Sequence, residues 1–248
     1  MALNDYKTAL VTGASSGIGD VTVRALAARG IQVHALARRL DRLQALADDT
    51  GCICHSVDVR DQTALNAALK DLEIDILVNN AGLGRGISGL FQASADDVDT
   101  TISTNVTSLF HVLRAVTPGM IDRQRGHIVN IGSVAGLYPI TSSIYGASKG
   151  AVHLLSQNLR LELRGSGVRV TEICPGRVDT EFFDAALDDT ATREKVKDTG
   201  IQNLQSQDIA DAIMYALDAP WRVNVGLIEI TPNEQAFGGL SFTPVKSS

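Results

Sequence analysis

The chain has 248 residues, 44% hydrophobic and 20% charged, enough apolar material for one well-buried α/β domain and not the composition of a disordered chain. A formal net charge of −6 argues against a nucleic-acid-binding surface, and no window approaches the length of a membrane-spanning apolar run. Three cysteines (Cys52, Cys54, Cys174) and five scattered histidines match neither a disulfide framework nor metal-ligand spacing, so buried thiols and no metal are expected.

The N-terminal "MALNDYKTALVTG" runs straight into a strand and lacks the basic, apolar, small order of a signal peptide, which predicts a cytoplasmic protein. "TALVTG" (8–13) reads as a strand and "GDVTVRALAARG" (19–30) as a helix stopped by Gly30. "IQVHALA" (31–37) is a strand, "RLDRLQALADD" (39–49) a helix, "CICHSVDV" (52–59) a strand, "QTALNAALKDL" (62–72) a helix and "DILVNNAG" (75–82) a strand. One long helix is predicted from about Asp96 to Arg123, followed by the strand "GHIVNIGS" (126–133). A helix from Tyr145 to about Arg164, the strand "VRVTEICPG" (168–176), a helix near Gln207–Leu217 and the strand "GLIEITP" (226–232) complete the series. Near-continuous apolar strands alternating with helices predict right-handed crossovers and a parallel sheet covered on both faces. The polar stretch 177–206 interrupts this rhythm and reads either as a substrate lid or as a solvated surface helix.

"VTGASSGIGD" places Gly13, Gly17 and Gly19 after the first strand and at a helix start. Glycines there let the backbone approach a pyrophosphate, and the helix N-terminus offers it free N–H groups; plain turns also use glycine. The spacing is G-x-x-x-G-x-G, not the G-x-G-x-x-G dinucleotide fingerprint. In "IYGASKG" (144–150), Tyr145 and Lys149 lie one helical turn apart, on one face.

Taken with "NNAG" (79–82), Ser133, "YGASK" (145–149) and "PGRVDT" (175–180), the glycine pattern resembles the short-chain dehydrogenase/reductase family over nearly the whole chain. The resemblance implies one Rossmann-like, doubly wound domain spanning 1–248, with a seven-stranded parallel sheet and a bound NAD or NADP. By that resemblance the cofactor lies on Gly13, Ser15, Ser16, Gly17, Ile18 and Gly19, beside Asn80, Ala81 and Gly82. Asp58 matches the family position at the adenine, and Pro175, Gly176, Val178 and Thr180 those at the nicotinamide. An acidic residue ending the second strand would hold the ribose 2′-hydroxyl of NAD; here Ala37 is followed by Arg38 and Arg39, which suit the 2′-phosphate of NADP.

The resemblance also makes Tyr145 the acid–base residue, Lys149 its partner, Ser133 the anchor of the reacting oxygen and Asn105 the fourth member. Tyr145 and Lys149 contact the cofactor too. A cation about 4 Å from a phenolate is worth about 4 kcal/mol at an effective dielectric near 20, so Lys149 is expected to depress the Tyr145 pKa. In the family such an Asn distorts its helix and holds a water linked to the lysine. The rival nucleophile-elbow pattern G-x-S-x-G fails at Ile131.

"ARRLDR" (37–42) and "PWRVNVGLIEITPNEQ" (220–235) are similar to the branch holding bacterial NADP-dependent 3-hydroxy acid and serine dehydrogenases. That implies a small polar alcohol or carbonyl substrate, with Arg85 or Arg177 as a carboxylate anchor, and a homo-oligomer, usually a tetramer. The alternatives are a 3-ketoacyl thioester reductase and, in a different class, a non-catalytic NADP-sensing regulator.

Overall fold

The structure, a computed structural model, describes residues 3–87, 89–186, 198, 200–236 and 242–244. The elements follow the expected alternation: β1 (Thr8–Thr12), α1 (Gly17–Ala27), β2 (Gln32–Ala37), α2 (Leu40–Thr50), β3 (Ile53–Ser56), α3 (Gln62–Leu69) and β4 (Ile76–Asn79). Then come α4 (Ala95–Ile102), one π-helical turn (Ser103–Thr107), α5 (Ser108–Asp122), β5 (Gly126–Ile131), α6 (Val134–Leu137), α7 (Ser143–Glu162) and β6 (Val168–Pro175). The last elements are α8 (Phe182–Ala186), α9 (Ser206–Asp218) and β7 (Leu227–Ile230).

The seven strands form one sheet in the order β3-β2-β1-β4-β5-β6-β7, and every pairing is parallel. Chain direction across the sheet reverses between β1 and β4, so a crevice opens at their C-terminal ends, where doubly wound sheets bind ligands. β1, β4, β5 and β6 are buried almost throughout because helices cover both faces, whereas the edge strands β3 and β7 are half open. One core, with Val23, Leu26, Leu43, Ile209 and Ile213, lies beneath α1, α2 and α9. The other, with Leu65, Leu109, Val112, Val152 and Leu159, lies beneath α3, α5 and α7. Cys52 is buried, and half-buried Cys54 packs against the same core. Among the described residues no helix is long and apolar enough to cross a membrane.

Two local results differ from expectation. The helix predicted over 96–123 is broken by the π-helical turn around Asn105. Helix α6 was not expected; Ser133 caps it by accepting a hydrogen bond from the Ala135 N–H (3.1 Å). In the stretch 177–206, residues 187–197 and 199 lie outside the described residues; what is described begins with α8 and a parallel bridge between Val178 and Leu204.

His127, fully buried on β5, contacts the Thr171 hydroxyl through Nε2 (2.8 Å), and Thr171 in turn donates to the Val225 carbonyl (2.7 Å). The threonine proton is thus committed, and Nε2 carries the imidazole hydrogen. Burial first, and Arg169 second, hold His127 well below its ordinary pKa of 6.5. A depressed folded-state value means that the unfolded chain binds the proton more readily, so this stability contribution is present above pH 6.5 and is lost as pH falls below it. The melting temperature should fall on acidification from about pH 8 to about pH 5, and His127→Gln should flatten that slope in a thermal-shift series.

Candidate active site

The ends of β1 and β4 are stapled together where the crevice opens. The Thr12 hydroxyl oxygen accepts from the N–H groups of Asn80 (3.1 Å) and Ala81 (3.0 Å). Asn80 Nδ2 donates to the carbonyls of Thr12 (3.0 Å) and Gly13 (3.2 Å). Gly13 takes φ 67° and Gly17 φ 56°, a region side chains rarely adopt. Gly19 has a different reason: a Cβ there would run into the Gly13 carbonyl and the Asn80 amide. The loop and the start of α1 therefore press against β4 with no room for a methyl group.

The cleft so framed has a volume of about 620 Å³. It is lined by Gly13, Ser15, Ser16, Gly17 and Ile18, by Arg38, Arg39 and Asp58, and by Asn80, Ala81 and Gly82. Ser133, Tyr145, Lys149, Pro175, Gly176, Arg177, Val178 and Thr180 complete the predicted residues that reach it. Gly19, Asn105 and Arg85 do not line it. Arg85 instead pairs with Asp97 (3.2 Å) at the start of α4. The Asp58 carboxylate is held by Arg60 (2.7 Å), whose hydrogen bonds keep it below the usual carboxylate range.

At one end of the cleft, Arg39 lies over the glycine loop. It donates to the Ser15 hydroxyl through Nε and Nη2 (3.1 Å each) and to the Ser16 hydroxyl through Nη2 (2.7 Å). No carboxylate ends β2, so this end presents guanidinium and hydroxyl donors, a set that fits a ribose 2′-phosphate. The glycine loop, the free start of an 11-residue helix and the arginine end together fit a dinucleotide phosphate.

At the other end, α7 presents Tyr145 and Lys149. The Lys149 amine is buried and donates to the Ile131 carbonyl (2.8 Å), at 6.0 Å from the Tyr145 ring centroid. Desolvation lowers Lys149 to about 8. It pushes Tyr145 up to about 12, against the opposing hydrogen bond from Ser133. In the free cleft burial is the largest influence on the phenol and sets it above its ordinary value, opposite in direction to the depression expected from Lys149.

Asn105 sits just behind this group, buried in the π-helical turn. Its Oδ1 accepts from Leu83 N (2.9 Å), and its Nδ2 donates to the Leu83 carbonyl (2.7 Å) and the Ser148 hydroxyl (2.9 Å). Ser148 donates to the Tyr145 carbonyl (2.8 Å). The side chain thus ties α4–α5 to the loop after β4 and to α7. A second cavity of about 10 Å³, bordered by Thr12, Asn79, Asn105 and Lys149, has room for one water.

Sequence reasoning missed four residues here. Ser148, between Tyr145 and Lys149 in the sequence, bonds Asn105 and the Tyr145 carbonyl. Phe182 packs edge-on against Tyr145, with centroids 5.3 Å apart. Glu181 pairs with Arg39 (2.9 Å) and Arg42 (2.7 Å) across the cleft mouth. Glu172, fully buried on β6, accepts from His153 Nδ1 (2.8 Å) and lies beside Gly132 and Cys174 under the turn that follows β5. His153, Glu172 and Cys174 place their ligand-type atoms within 4.8 Å of one another, while burial and Glu172 raise the thiol well above its ordinary pKa. Only Glu172 carried a signal, as an acid within an apolar strand.

Residues 7–191 match the family model described as short chain dehydrogenase, and the chain belongs to that family. It is 41% identical over 243 residues to the NADP-dependent 3-hydroxy acid dehydrogenase YdfG of Salmonella typhi, covering 94% of this chain and 97% of that one. It is 37% identical over 243 residues to serine 3-dehydrogenase of Agrobacterium fabrum, covering 94% and 96%. The closed form of a serine dehydrogenase complexed with NADP+ superposes with a TM-score of 0.90 at 38% identity, over 96% of this chain and 100% of that one.

The close approach at Gly19 gives a direct test of the loop packing. Gly19→Ala should destabilise the fold by about 1–3 kcal/mol in denaturant unfolding, the ordinary cost of overpacking. An unchanged midpoint would mean that the loop opens away from β4 without penalty.

Proposed function

We propose that the protein is an NADP-dependent oxidoreductase that interconverts a small polar alcohol and its carbonyl form, of the 3-hydroxy acid or serine type. The observation that carries this reading is the juxtaposition in one cleft of the Tyr145 phenol, paired with the Ser133 hydroxyl, and an arginine and serine end built for a phosphate. The names of the relatives support the cofactor and the substrate class.

Bound NADP supplies the nicotinamide carbon that accepts or returns the hydride and, when oxidised, a positive charge beside the phenol. Gly13, Gly17 and the start of α1 would hold its pyrophosphate, with Ile18 and Asn80 to Gly82 beside it. Arg38, Arg39, Ser15 and Ser16 would hold the 2′-phosphate. Asp58 would serve the adenine, and Pro175, Gly176, Val178 and Thr180 the nicotinamide. Ser133 hydrogen-bonds the substrate oxygen. Tyr145 gives that oxygen its proton in reduction and removes it in oxidation. Lys149 favours the phenolate in the oxidative direction. A water between Lys149 and Asn105 would return the proton toward solvent.

Arg177 is the candidate for the substrate carboxylate. It lines the cleft, with its guanidinium carbon 4.1 Å from the Phe183 ring centroid, whereas Arg85 is turned onto Asp97. This favours a free acid over the thioester alternative. Exposed Phe110 and Ile121 on α5 and Leu154 and Leu161 on α7 fit a homo-oligomer built through these helices.

Purified protein should oxidise NADPH in preference to NADH with small 3-oxo acids or aldehydes, followed at ~340 nm, and Tyr145→Phe should lower kcat at least ~100-fold. Equal or better use of NADH would overturn the reading of Arg38 and Arg39. Because burial holds the phenol high, alcohol oxidation should accelerate as pH rises, whereas carbonyl reduction should hold its rate until pH approaches the phenol's raised pKa. Lys149→Ala should displace both profiles to higher pH. Arg177→Ala should raise KM for acid substrates and leave that for neutral alcohols unchanged.

A further inference from the structure

The arginine end of the cleft carries a carboxylate that a phosphate site does not need. Glu181 faces Arg39 Nη1 with one oxygen (2.9 Å) and Arg42 Nη1 with both (2.7 and 2.9 Å). Arg39 keeps Nε and Nη2 on the serine hydroxyls, so one guanidinium serves the glycine loop and the carboxylate at once. Arg42 does not line the cleft. Glu181 belongs to the segment after β6, whose neighbouring residues also cross the crevice. Thr180 lies against the glycine loop, 3.3 Å from where a Gly17 Cβ would stand, and Phe182 packs on Tyr145. Three consecutive residues therefore bridge from the glycine loop and the arginines on one wall to the catalytic tyrosine on the other.

We propose that Glu181 and Arg42 are positioning residues that clasp segment 180–182 across the bound cofactor, retaining NADP and seating Phe182 beside Tyr145 in the same movement. The inference rests on the NADP reading above. With Thr180 against Gly17, segment 180–182 would cover a cofactor held in the cleft, whose release would require the carboxylate to part from both arginines. The three side chains are 41–46% exposed, so each ion pair contributes modestly. Together they should change cofactor release by about 2- to 10-fold.

The test is stopped-flow release of NADPH, read by its fluorescence on chasing with excess NADP+. Glu181→Gln, which breaks both pairs, should speed release by about 2- to 10-fold, and Arg42→Ala, which leaves the Arg39 pair, by a smaller factor. The double variant should be no faster than the quicker single one, because both changes open one clasp. The exchanged pair Glu181→Arg with Arg42→Glu should restore part of the slow release, which a general loosening of the fold would not do. Both single variants should also raise KM for the carbonyl substrate, since Phe182 is no longer seated. Release unchanged or slowed in Arg42→Ala, or strictly multiplicative effects in the double variant, would overturn the clasp. Absence of NADPH binding by the wild type would instead defeat the underlying cofactor reading, and the two failures are distinct.

Discussion

The site depends on how one face of α7 is fastened. Tyr145, Ser148, Lys149, Val152 and Ser156 recur at the spacing of a single helical stripe, and the polar members each meet a different anchor. Ser148 is held by Asn105, Lys149 by the Ile131 carbonyl, and Ser156 by Asn130, which is itself bonded to Asn79 on β4. Leaving one such buried group unpaired costs about 1–3 kcal/mol, so the rotation and height of α7 are closely set. That setting carries the phenol to the C-terminal end of β5, next to Ser133, and to nowhere else in the fold.

The buried lysine shows what this fastening costs. Bringing Lys149 behind the cleft lowers its pKa to about 8 and brings no corresponding fall in Tyr145, whose phenol stands at about 12. A positive charge beside a half-buried tyrosine was the premise drawn from helical spacing. In the free cleft the opposing term is the larger one: both groups leave water, and desolvation favours the neutral form of each. In the proposed reaction the shift toward phenolate thus belongs to the cofactor-bound cleft.

The two walls of the crevice obey different physics. The glycine-loop wall is backbone pressed on backbone, where Gly13 and Gly19 are required by φ or by lack of space. The wall after β6 is side chains meeting across a gap, through Thr180, Glu181 and Phe182. Packing without room for a methyl group is stiff, whereas exposed ion pairs exchange readily. In the proposed clasp, the wall that opens for ligand exchange is the one held by exchangeable contacts.

Much of this was legible in the sequence. The apolar strands and their alternation with helices determined a parallel sheet, because strands buried on both faces must be apolar on both. The glycine spacing and the Tyr145–Lys149 interval, read together with the other motifs as a family resemblance, pointed to residues that line the two ends of the cleft. Asn105 was legible through the family resemblance, and it lies within the π-helical turn. Tertiary structure alone decided the rest. Glu181 and Arg42 are 139 residues apart in the chain, and no local pattern announces that they meet. The fate of Arg85 and Arg177, alike in sequence as loop cations, was set by which neighbour each found, Asp97 for one and the Phe183 ring for the other. The pKa values followed from burial, a property of the assembled fold that spacing along the chain does not contain.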